Sequence, residues 1–150
     1  MVRRVPRWIL KFEKEVSKLR KISKNKWYLH PQPSLVALKR TGRGNCVAWS
    51  KLMTEIAIKH NLLVIQLVIG EQHERKNSKF RHQITIVIER DRTVWLQSNI
   101  WQRKFCRIRS WPTMNSLTKL LKSIARINGK EACGYKNGTR IYITRILGEL

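Results

Sequence analysis

Gly42-Arg43-Gly44-Asn45-Cys46-Val47-Ala48-Trp49-Ser50 places a cysteine after a glycine pair, at the opening of a helical run. From Cys46 to His60 the apolar residues Trp49, Leu52, Met53, Ile56 and Ala57 recur at helical spacing. Asn45 suits an N-cap and Asn61 a C-terminal stop. A helix N-terminus carries roughly half a positive charge, so a thiol seated there is biased toward thiolate, the nucleophilic form. The stretch therefore predicts a helix that begins on a reactive residue.

Working outward, Trp8, Phe12, Val16, Leu19 and Ile22 predict an amphipathic helix over 6–22 with a strongly basic outer face. His30-Pro31-Gln32-Pro33 breaks the chain, and Leu35 to Lys39 reads as a short helix. After the Cys46 helix, Leu62 to Gly70 reads as a buried strand and Glu71 to Lys79 as a polar loop. His82, Ile84, Ile86 and Ile88 alternate with Gln83, Thr85, Val87 and Glu89, which is the period of a strand. Arg90 to Thr93 turns the chain. Val94 to Ile100 and Phe105 to Arg109 extend the sheet. Trp111-Pro112 opens a further helix that ends at Asn128-Gly129, and Thr139 to Leu147 forms a last strand. The sum is a single α+β domain over 1–150, its core at about 41–110. A helix packs on a small antiparallel sheet, with extra helices toward both termini.

The chain has 150 residues and a net charge of +23, from 32 Lys and Arg against 9 Asp and Glu. Such an excess attracts polyanions, nucleic acid among them. Hydrophobic residues make up 42 %, which suits a packed core rather than a disordered basic tail. No apolar run reaches the roughly 18 residues of a membrane span, and no h-region follows the basic start. Three cysteines, Cys46, Cys106 and Cys133, are too sparse and odd a set for a disulfide framework. They point to a reducing compartment, hence the cytoplasm. Without a CxxC or CxxH spacing no metal site is expected, and nothing calls for a cofactor.

A nucleophilic cysteine needs a base, and the base needs an orienting group. Of the four histidines, His60 lies at the far end of the Cys46 helix, ~20 Å away. His30 and His73 sit in loops. His82 opens a strand, on the face with Ile84, Ile86 and Ile88, and that face is expected to pack on the Cys46 helix. A two-residue turn at Arg90-Asp91 puts His82 opposite Asn99. A four-residue turn, Arg90 to Thr93, puts it opposite Trp101 with Asn99 diagonal on the same face. A three-residue turn would move Asn99 to the other face. The sole aspartate, Asp91, sits at the turn, so the third member is expected to be an amide: Asn99, with Gln97 in reserve.

Gly44-Asn45-Cys46, His82-Gln83-Ile84-Thr85-Ile86 and Trp95-Leu96-Gln97-Ser98-Asn99, in that order, resemble the transglutaminase-like superfamily. Its bacterial transglutaminase-like cysteine peptidases are relatives of the papain-like enzymes. The resemblance covers about Thr41 to Trp101. It implies a papain/transglutaminase-like core with Cys46 as nucleophile, His82 as base and Asn99 where the family usually has Asp. It implies a cysteine peptidase, deamidase or transglutaminase-like acyltransferase acting on a protein or peptide. The backbone N–H of Cys46 would supply part of an oxyanion hole, with Asn25, Trp27 or Gln32 completing it. The alternative is a non-catalytic nucleic-acid-binding protein on the same fold, using the first helix, the segment 103–109 and Lys119, Lys122 and Arg126.

Overall fold

A computed structural model describes residues 5–24, 34–71, 81–97, 106–108, 119 and 139–147. The fold is a small α+β arrangement. Three helices are present among these residues: α1 (Arg7–Ile22), α2 (Leu35–Thr41) and α3 (Cys46–Lys59). Five strands, β1 (Leu63–Glu71), β2 (Arg81–Ile88), β3 (Val94–Gln97), β4 (Cys106–Ile108) and β5 (Thr139–Leu147), form one sheet in the order β4-β3-β2-β1-β5. Every neighbouring pair is antiparallel. The helix opening at Trp111-Pro112 lies outside the described residues except for Lys119, which is helical.

The helix ends follow from local chemistry. Ser34 caps α2 by accepting the Ala37 N–H, and Asn45 caps α3 by accepting the N–H groups of Val47 and Ala48. Gly42 ends α2 in the left-handed conformation, with φ of 70°, and donates its N–H to the Leu38 carbonyl at 2.8 Å. A Cβ at position 42 would lie 2.1 Å from the Leu19 backbone oxygen, so only glycine lets α2 dock on the end of α1. Asn61, with φ of 57°, turns the chain from α3 into β1.

Alternation along the strands defines two faces. Val64, Val87 and Trp95 join the buried cluster of α1 and α3, which includes Trp8, Phe12, Trp49 and Met53. Ile65, Leu67, Ile84, Ile86 and Leu96 belong to the opposite set and are buried as well. Sequence reasoning chose the other face. The set Ile84, Ile86 and Ile88 was expected against the Cys46 helix, but α3 packs on the set Gln83, Thr85 and Val87. Both faces of the sheet are covered, so the more apolar set is not the one the helix must take, and period two alone could not assign them.

The β2–β3 hairpin carries a second correction. Its pairs are Thr85 with Gln97, Ile86 with Leu96, Val87 with Trp95 and Ile88 with Val94. Glu89 and Thr93 close the turn through a Glu89 N–H to Thr93 carbonyl bond of 3.0 Å, leaving Arg90, Asp91 and Arg92 as the loop. That is the three-residue turn. It is made by Arg92 in the left-handed region, at φ 67°, and by Asp91 accepting the Thr93 N–H at 3.0 Å. A left-handed position held by arginine rather than glycine gives no signal in the sequence. Neither register that set Asn99 beside His82 is the one the hairpin adopts.

The N-terminal helix is tied to this hairpin. The Trp8 indole N–H donates to Glu89 Oε1 at 3.1 Å, and the Trp8 and Trp95 rings meet edge to face with centroids 6.3 Å apart.

Candidate active site

Cys46 is the first residue of α3 and is half-buried. Asn45 Oδ1 accepts the N–H groups of Val47 at 3.0 Å and Ala48 at 3.2 Å, which fixes the first turn beneath the thiol. The Trp49 indole N–H donates to the Gly44 carbonyl at 3.2 Å and pins the approach to the helix. The backbone N–H of Gln83 donates to Cys46 Sγ at 3.5 Å. An N–H aimed at sulfur favours the charged form, and so does the helix N-terminus.

The sulfur stands at one end of a polar seam. Cys46, Ser50 and Thr54 are spaced four apart on α3 and face the sheet together. Ser50 and Thr85 share a short hydroxyl–hydroxyl contact. Gln83 Nε2 donates to Ser50 Oγ at 3.1 Å, and the Thr85 hydroxyl also approaches the Ser50 carbonyl at 3.4 Å. Farther along, Gln66 Nε2 donates to Thr54 Oγ1 at 2.9 Å. Ser50, Thr54, Gln66 and Thr85 are all buried. Sequence reasoning passed over Ser50, Gln83 and Thr85 as site neighbours. The four-residue spacing of Cys46, Ser50 and Thr54 was the available signal.

His82 is the second residue of β2 and pairs with Ile69. It directly precedes Gln83, whose N–H reaches the sulfur, so the strand brings the His82 backbone to the start of α3. The side chain of His82 lies outside the described structure. Gln97 ends β3, its backbone paired with Thr85. Asn99, together with Trp101, Asn25, Trp27 and Gln32, lies outside the described residues. His60 caps the far end of α3, where its Nδ1–H donates to the Ile56 carbonyl at 2.9 Å, far from Cys46.

Among the described residues no group of three His, Cys, Asp or Glu side chains stands close enough to hold a metal ion. No helix among them is long and apolar enough to cross a membrane. No protein family, curated protein or solved structure matches this chain.

Proposed function

We propose that the chain is a cysteine-dependent amide hydrolase or acyltransferase of the transglutaminase-like type, acting on a protein or peptide in the cytoplasm. The observation that carries the reading is the Gln83 N–H donating to Cys46 Sγ at the first residue of a capped helix. Two independent features there favour thiolate, the helix N-terminus and the donor. His82 adjoins that donor along β2, with its backbone at the start of α3.

In this reading the Cys46 thiolate attacks an amide carbonyl and the Cys46 backbone N–H stabilises the oxyanion. The amine leaves with the proton that His82 took from the thiol, and a thioester to Cys46 remains. Water then releases an acid, giving proteolysis or deamidation; an amine instead gives transamidation. An amide orients the imidazole. Gln97 and Asn99 are the two candidates, and the three-residue turn favours neither.

Iodoacetamide labelling at about pH 6 tests the seat, because each unit by which the thiolate is favoured raises its fraction about tenfold. Cys46 should label at least about tenfold faster than Cys106 and Cys133, and His82→Ala should remove most of that advantage. Equal rates at the three cysteines, unchanged by His82→Ala, would end the reading.

A further inference from the structure

We infer that the outer face of α1 is a docking strip for the phosphodiester backbone of nucleic acid, separate from the Cys46 site. Arg7, Lys11, Lys14, Lys18 and Lys21 follow one another at intervals of four, three, four and three residues. At about 100° per residue, those intervals set all five cations within an arc of ~80°, and no other residue of α1 falls inside it. All five are exposed. None is in an ion pair among the described residues, where the acidic partner of both recorded bridges is Glu55 of α3. The strip runs ~21 Å with a cation about every 5 Å, a length over which one strand of a duplex presents about six phosphates.

The strip concentrates like charge. Arg7 stands in the first turn, at the positive end of the helix dipole, and no acidic residue is there to offset it. Four successive like-charge neighbours each cost about 0.2–0.5 kcal/mol. A polyanion along the strip removes that repulsion.

Three classes of polyanion compete for it, and the fold separates them. A helix lying in a membrane interface needs its apolar side for the lipid, but Trp8, Ile9, Phe12 and Leu19 are buried in the protein core. A protein interface is anchored by aromatic or aliphatic side chains at its centre. The strip's centre holds only cations, and exposed Leu10 and Ile22 border it. Phosphates in series fit a row of point charges. Contacts of such a row to phosphates carry no sequence information.

The test compares two triple variants that remove equal charge. Lys11→Gln/Lys14→Gln/Lys18→Gln empties the strip; Arg40→Gln/Lys59→Gln/Arg90→Gln removes exposed cations elsewhere. Fluorescently labelled duplex DNA and single-stranded RNA of mixed sequence are titrated at several salt concentrations, with circular dichroism confirming that each variant is folded. Five phosphate contacts predict an affinity loss of about 10²–10³-fold for the unaltered chain between ~50 and ~200 mM salt. The strip variant should lose only about tenfold over that range, because two contacts remain. The control variant should keep the original slope. Comparable preference for duplex and single strand identifies the backbone as the shared ligand. Absence of binding at low salt, equal slopes for the two triple variants, or stronger strip-dependent binding to phosphatidylserine vesicles or polyglutamate than to nucleic acid would each overturn the inference.

Discussion

The backbone N–H of Gln83 and the sulfur of Cys46 meet at 3.5 Å, across the junction of β2 with the N-terminus of α3. The contact joins residues 37 apart in sequence, so it exists only when α3 is seated on the sheet. Asn45→Asp separates the reactivity of this seat from its stability. Aspartate keeps the cap, and its charge suits the helix dipole, so the thermal midpoint should hold or rise slightly. A carboxylate on the residue before Cys46 disfavours a thiolate, so iodoacetamide labelling of Cys46 should slow severalfold. Asn45→Ala should instead lower stability by about 1 kcal/mol.

Ser50 and Thr85 form a buried hydroxyl pair that also receives Gln83. Ser50→Ala leaves the Thr85 hydroxyl buried without this partner and should cost about 1–3 kcal/mol in urea unfolding. The double variant Ser50→Ala/Thr85→Val removes both partners and should cost less than the sum of the single changes. Strict additivity would show that the pair is not coupled.

Gly42 holds φ of 70° with the Leu19 carbonyl where a side chain would begin. Gly42→Ala combines backbone strain with a clash against backbone, which cannot rotate away. The strain alone should cost roughly 1–3 kcal/mol, with the clash added to it. A thermal midpoint unchanged by Gly42→Ala would show that α2 does not dock so closely on α1.

Trp8 fastens α1 to the β2–β3 hairpin through its packing and its bond to Glu89. Trp8→Phe keeps most of the packing but loses the bond, and should cost about 1–2 kcal/mol. Trp8→Ala should cost about 3–5 kcal/mol. Glu89→Gln, which keeps an acceptor, should cost less than either substitution of Trp8.

Glu55 accepts from Lys39 of α2 and Lys59 of α3, and the Lys39 hydrogen bond is the main cause that holds its carboxyl below the ordinary value of 4.5. A carboxylate with a lowered value stabilises the fold above the ordinary value and loses that contribution as pH falls through the lowered one. Unfolding free energy should therefore decline as pH drops below about 4.5, and Glu55→Gln should flatten that part of the profile. The effect at neutral pH is modest, up to about 1 kcal/mol, because the pair is partly exposed.

Among the described residues, the sequence by itself determined the elements and placed most of their ends within a residue or two. Helical spacing around Trp49, Leu52 and Ile56 defines α3, and Asn45 gives its start, because caps and periodicity are local properties. Period two likewise defines β2, and the limits of β5 agree with those expected from residues 139–147. The approach of the Cys46 helix to the strand carrying His82 was legible too, as a helix packed on its neighbouring sheet. Only the tertiary structure decided which side of that sheet the helix takes. Hydrophobicity ranks Ile84, Ile86 and Ile88 first, but they are buried on the other face, and the choice rests on Ser50 meeting Thr85 and Gln83 across the interface. The register of β3 was settled by Arg92 in a left-handed conformation. The energy of that conformation is offset by the hairpin's closure and by the Asp91 bond, neither of which a residue's own preference reveals. One residue of register separates the observed β2–β3 pairing from either that sequence reasoning had weighed, and side chains alternate faces at every step of a strand.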